Sequence, residues 1–212
     1  MSRLWISGRG LSGRWSGRRS RGWFGKSDPT DSELLQHFRR AWGNSSLAYP
    51  PFGGRSQGLP TTYSVVEFAP PSDSPFSPWI YSTFGLSPRA GSGLEMFLES
   101  GAQSSRLPEI LNAVAHFHCT GATLGLHHIV NLGEPWLPGS ACTYAYLSLP
   151  YRFGPSLEWL RTANRTTRCL QLVPITAKER SLALAQSIEK LELAFDRAQP
   201  VLSDPRRRCA CE

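Results

Sequence analysis

Proline and glycine interrupt this chain about once in every six residues, with 17 Pro and 19 Gly among 212. Proline removes a backbone donor and fixes φ, and glycine weakens helix and strand interiors, so long regular elements are excluded. No apolar run approaches the roughly 18–20 residues that a membrane-spanning helix needs, which excludes an integral membrane protein. Glycine has no triplet period and 40% of the residues are hydrophobic, so collagen-like and wholly disordered alternatives fail as well. What remains is a single domain of short elements joined by many turns.

Hydrophobic periodicity places those elements. The spacing predicts a helix over 30–42, with Thr30 and Glu33 as a capping box and Leu34, Leu35, Phe38 and Trp42 on one face. Residues 43–60 read as loop. Strands are expected at Thr62–Phe68, Trp79–Gly85 and Leu94–Glu99, paired antiparallel as neighbours. In this pattern Glu67, Glu95 and Glu99 alternate with apolar residues and fall on a wet face. A second helix over 108–118 presents Leu107, Ile110, Leu111 and Val114, and Thr120-Gly121 ends it. Further strands are expected at His128–Leu132, Cys142–Leu149 and Arg168–Val173. The final helix starts at the capping box Thr176/Glu179 and carries Leu184, Ile188, Leu191 and Phe195 as one stripe, packed on the sheet that includes Leu170 and Leu172. The fold class is therefore α+β: a single domain with a mostly antiparallel or mixed sheet of about six strands and two or three packed helices.

Charge divides the chain differently. The formal net charge is +7, and Arg3, Arg9, Arg14, Arg18, Arg19, Arg21 and Lys26 supply it without one acidic residue between them. Residues 1–27 thus read as a disordered basic tail and 28–60 as a helix with a Pro/Gly-rich lead-in. The domain proper spans 61–199, and 200–212 form a frayed C-terminal tail. Arg18-Arg19 is not followed by an apolar segment, so neither a twin-arginine nor a secretory signal fits. Trp5, Trp15 and Trp23 among the basic residues would suit single-stranded RNA, but the folded part is close to neutral. Nucleic acid is therefore not the expected partner.

Catalytic patterns are missing. Gly8-Arg9-Gly10-Leu11-Ser12-Gly13 spells a dinucleotide-type motif but precedes any strand or helix, and no other phosphate loop or nucleophile motif occurs. His116, His118 and Cys119 lie near one helix end, and His127-His128 follow nine residues later. Positions two apart on a helix diverge by about 200°, so His116 and His118 cannot share a ligand face. A metal-dependent hydrolase would have to combine one of them with His127 or His128. Cys119, Cys142 and Cys169 sit in apolar elements and read as small hydrophobes, while Cys209 and Cys211 lie in the tail. Reduced cysteines fit a cytoplasmic location. No catalytic, cofactor-binding or metal-ligating residue is assigned.

Several phrases resemble the suppressor of fused domain family. Thr62-Tyr63-Ser64-Val65-Val66-Glu67-Phe68 is similar to its opening strand. Trp79-Ile80-Tyr81-Ser82-Thr83-Phe84-Gly85-Leu86-Ser87 resembles its second strand with the terminal Gly-x-Ser, and Gly93-Leu94-Glu95-Met96-Phe97-Leu98 resembles the next. Leu170-Gln171-Leu172-Val173-Pro174-Ile175-Thr176-Ala177-Lys178-Glu179 carries the likeness furthest, because the family enters its last helix through a similar Pro-Ile-Thr-x-x-Glu. In animals the family name belongs to a Hedgehog-pathway protein that sequesters zinc-finger transcription factors. The chain stops soon after Phe195, so the resemblance is to short, single-domain bacterial members. Those are regarded as immunity proteins of polymorphic toxin systems, from their position beside toxin genes. The resemblance implies a non-enzymatic, protein-binding module whose partner is a toxin domain, with no cofactor.

These expectations predict a graded set of urea melts. Leu191→Ala should cost roughly 2–5 kcal/mol and Thr176→Ala about 1 kcal/mol. Removal of residues 1–27 should leave the melting temperature nearly unchanged.

Overall fold

The computed structural model describes residues 29–51, 57–74, 77–87 and 91–211, and the basic N-terminal segment lies outside the described residues. The chain opens with α1 (Pro29–Trp42), β1 (Ser45–Tyr49), β2 (Ser64–Phe68), β3 (Trp79–Phe84) and β4 (Gly91–Ser100). There follow α2 (Arg106–Thr120), β5 (Ile129–Asn131), β6 (Cys142–Ser148), α3 (Pro155–Glu158) and β7 (Trp159–Arg161). The last elements are β8 (Arg165–Thr176), α4 (Ala177–Ala185) and α5 (Ile188–Ala198). Among the described residues no helix is long and apolar enough to cross a membrane.

One eight-stranded sheet runs in the order β1-β2-β3-β4-β8-β6-β5, with β7 beside the first half of β8. The pairs β1–β2, β2–β3 and β3–β4 are antiparallel, as the short proline- and glycine-rich breaks between strands 2, 3 and 4 predict. The pair β4–β8 is parallel, Gly91 to Phe97 against Arg165 to Gln171, so the sheet is mixed. The sheet is larger than the expected six strands because 45–49, expected as loop, pairs with β2, and 159–161 pairs with β8. Local sequence hides both: the first is a Ser-Ser-Leu-Ala-Tyr edge strand between Gly43-Asn44 and Pro50, and the second is only three residues long.

Helices cover both faces. Leu107, Ile110, Leu111 and Val114 of α2 pack on Val65, Tyr81, Leu94, Met96, Leu98, Leu170 and Leu172. On the opposite face Leu34, Leu35, Phe38 and Trp42 of α1 meet Val66, Phe68, Ile80, Phe84, Phe97 and Cys169. Trp42 sits at the centre of this cluster, edge-on to Phe68 and tilted against Phe97, with ring centroids 5.1 and 5.0 Å away. The α1 helix begins at Pro29, one residue before Thr30, so Thr30 is inside it; the Thr30 side chain lies outside the described residues.

The last helix is two. It breaks at Gln186, and Ser187 restarts it by accepting the Lys190 N–H. Leu184 is therefore not part of the buried stripe and is 64% exposed, whereas Leu191 is fully buried. With Ile188 and Phe195, Leu191 packs on Tyr146, Val173 and Ile175, the face opposite Leu170 and Leu172. Without Leu184, the stripe thus packs on the sheet expected from the sequence.

Because both faces are covered, Glu67, Glu95 and Glu99 do not meet water: all three are buried. Burial of a carboxylate is tolerable only with donors, and each has them. Glu67 accepts from Ser46, Tyr49 and Gln103. Glu99 accepts from Arg152 at 2.6 Å and Gln171 at 3.1 Å. Glu95 accepts from the Thr83 hydroxyl at 2.6 Å and the backbone N–H groups of Leu86 and Ser87 at 3.0 and 3.3 Å. Burial nevertheless pushes the Glu95 carboxyl up from 4.5 to about 7, against the lowering effect of Thr83, Ser87, Arg165 and Leu86.

A raised carboxyl makes the folded state hold a proton that the unfolded chain releases. Between pH 4.5 and about 7, stability therefore falls as pH rises, and above 7 this contribution is constant. Urea melts of wild type and Glu95→Gln across this range should show the wild type losing up to roughly 3 kcal/mol relative to the variant. A difference independent of pH would show that Glu95 is ionised throughout.

Candidate functional site

At the end of β8 the chain turns sharply into α4, and the turn is held by the expected capping box. The Thr176 hydroxyl accepts the Glu179 N–H at 3.2 Å, and the Glu179 carboxylate accepts the Thr176 N–H at 2.7 Å. The same carboxylate does more than cap. Arg207 donates to both of its oxygens, Nη1 to Oε1 at 2.7 Å and Nη2 to Oε2 at 2.8 Å, and the Ala210 N–H donates to Oε1 at 2.8 Å. The other two Nη donors of Arg207 reach the carbonyls of Pro174 and Arg208, and its guanidinium lies 5.6 Å from the Phe195 ring centre. Both side chains are out of solvent, 3% and 0% exposed.

Burial by itself would raise the Glu179 carboxyl, but the Arg207 and Ala210 donors, the Arg207 charge and the Thr176 N–H outweigh it. The carboxyl titrates below its ordinary value. Burial likewise works against the Arg207 charge, and Glu179 more than offsets it, so the guanidinium is held charged. The C-terminal segment expected to fray is thus docked through a bidentate buried ion pair. Sequence reasoning missed it because an Arg-Arg-Arg run reads as a solvated tail.

Docking this segment against the two final helices leaves a cleft of about 550 Å³. Leu182 and Gln186 of α4, Lys190, Leu193, Ala194, Arg197 and Ala198 of α5, and Ala210 and Cys211 line it. This concave surface is the candidate functional site. Two cationic side chains, Lys190 and Arg197, and the apolar Leu182, Leu193 and Ala194 are among the residues lining it.

The histidines do not converge here or elsewhere. His118 Nδ1 accepts the Leu124 N–H, His128 Nδ1 accepts the Gly125 N–H, and His116 lies beside Thr120. His127, at φ +70°, stacks on Tyr146, with Nε2 4.0 Å from Glu192. Among the described residues no three His, Cys, Asp or Glu side chains are grouped to hold a metal ion. Cys142 and Cys169 are buried as expected, but Cys119 is exposed because it falls in the last turn of α2, off its buried face. Cys209 is partly covered, with its sulfur 3.3 Å from the Thr176 hydroxyl.

Removing one partner of a buried pair leaves an uncompensated charge, so Arg207→Ala should destabilise by about 3–5 kcal/mol. In a cycle with Glu179→Gln, urea melts should give a coupling above the 0–1 kcal/mol of a surface pair. Additive single variants would mean that the C-terminal segment is not docked in solution. The Glu179 contribution is present at neutral pH and is lost as pH falls below 4.5 and through the depressed value.

The fold has counterparts among known proteins. The family model described as suppressor of fused protein matches residues 60–208, which includes Arg207. A suppressor of fused homolog from Neisseria gonorrhoeae FA 1090 superposes with a TM-score of 0.73 at 27% identity, covering 85% of this chain and 96% of that one. A chain of a Sufu–Fu complex gives 0.59 at 14% identity over 78% of this chain and 83% of that one. Drosophila Suppressor of Fused gives 0.58 at 14% identity, with 77% of this chain against 46% of that one. The last two show the shared fold. No curated protein sequence matches. With the family model spanning most of the chain and the strand-to-capping-box entry into the last helices in place, this chain belongs to the suppressor of fused family.

Proposed function

We propose that this chain is a protein-binding module without catalytic activity, and that it binds and neutralises a cognate toxin. The observation that supports the reading is the similarity over 96% of the Neisseria gonorrhoeae homolog, a bacterial protein. An immunity role is inferred for short bacterial members of the family from neighbouring toxin genes. A related fold occurs in a complex with a protein, Fu, which supports binding of a polypeptide partner. The chemistry of the interior supports the same reading. Glu67, Glu95, Glu99 and Glu179 are each committed to internal donors, and His118 and His128 each spend a ring nitrogen on a backbone N–H. A binding role requires only a complementary surface with a few well-packed anchors.

The test is to look for a toxin-type gene beside the one encoding this chain and to co-express the two. Growth should be restored, and the two proteins should elute as one complex in size exclusion. Persistent growth arrest without complex formation sinks the toxin reading.

A further inference from the structure

The α5 helix carries three stripes at helical spacing. Ile188, Leu191 and Phe195 face the sheet; Glu189, Glu192 and Asp196 form an acidic stripe; Lys190, Leu193, Ala194 and Arg197 line the cleft. Leu193 is 38% exposed, a large apolar side chain left uncovered between two cations seven residues, or about 10 Å, apart along the helix. Lys190 and Arg197 are exposed, and among the described residues neither is held in an ion pair. Among the described residues no acidic side chain lines the cleft.

We propose that this cleft docks an acidic amphipathic segment of the protein partner, with an apolar side chain seated beside Leu193 and Ala194 and carboxylates flanking it at Lys190 and Arg197. The proposal rests on the protein-binding reading above and supplies its surface. Charge complementarity selects the occupant. The chain's own residues 1–27 carry seven basic and no acidic residues, so like charge opposes their docking here. A phosphate backbone would satisfy the cations but leave Leu193 uncovered, which favours a polypeptide over a nucleic acid.

A phage-displayed library of random 16-residue peptides, panned on the full chain, tests the proposal. Selected peptides should be acidic, with apolar residues three or four apart. In fluorescence anisotropy at low salt they should bind at least tenfold more weakly to Lys190→Glu/Arg197→Glu and to Leu193→Asp, and weaken as salt is raised. All three positions are exposed, so both variants should melt as the wild type does. A selection without acidic bias, or no selection at all, overturns the proposal. Peptides that hold both variants as tightly overturn the cleft but leave the protein-binding reading standing. A wild-type dimer that Leu193→Asp abolishes in sedimentation would assign the cleft to a second copy and likewise overturn it. Failure of toxin co-expression beside a successful selection would remove the toxin and keep the cleft.

Discussion

The Glu179 carboxylate ties a local strand-to-helix turn to a C-terminal segment about 30 residues further along the chain. The end of β8 donates through Thr176, the start of α4 is capped by it, and the C-terminal segment donates through Arg207 and Ala210. Two oxygens accepting four hydrogen bonds leave no lone-pair direction facing an empty interior, which is the condition under which a buried ion pair offsets its desolvation. Apolar residues of equal volume could fill the same space at similar stability. What they could not do is fix where the C-terminal segment lies, because only a bidentate guanidinium demands one position of its backbone.

The same chemistry with weaker donors gives the opposite electrostatics. Glu95, like Glu179, is out of solvent, but it lies deeper and its direct partners are a hydroxyl and two backbone N–H groups. Neutral dipoles do not match the lost hydration of a full charge, so burial prevails and the carboxyl rises. At Glu179 a guanidinium charge sits directly on both oxygens, and the carboxyl falls. Two glutamates that are both out of solvent therefore act on stability in different pH ranges. The cause of Glu95's burial is topological. The parallel pairing of β4 with β8 puts these strands at the middle of the sheet, where α2 covers one face and α1 the other.

These relations explain what the sequence displayed. The capping box was legible because its two residues are three apart and their bonds are local. The stripes of α1 and α2 were legible because 3.6-residue periodicity survives in any packing environment. Alternation in β4 correctly separated Leu94, Met96 and Leu98 from Glu95 and Glu99, but alternation says only that two faces differ. Whether the polar face meets water or a second layer depends on α1, more than 50 residues earlier. The break at Gln186 was hidden because Leu184 continues the spacing of Ile188 and Leu191 across it. Arg207 was hidden for a different reason. Its partner is 28 residues away, and nothing local distinguishes it from Arg206 and Arg208, which are exposed.

The cleft is a consequence of that long-range pairing. Its α5 wall would exist wherever Ser187 restarts the helix, but the wall formed by Ala210 and Cys211 exists only because Arg207 and the Ala210 N–H are held on Glu179. The phrase Pro174-Ile175-Thr176-Ala177-Lys178-Glu179 therefore has two functions in one set of atoms. Pro174 and Glu179 supply acceptors for Arg207, and Thr176 and Glu179 start the helix. A residue chosen only to cap a helix could be Gln as well as Glu. A residue that must also neutralise a buried guanidinium has to be a carboxylate, so the glutamate of this box is set by the C-terminal segment as much as by the helix it begins.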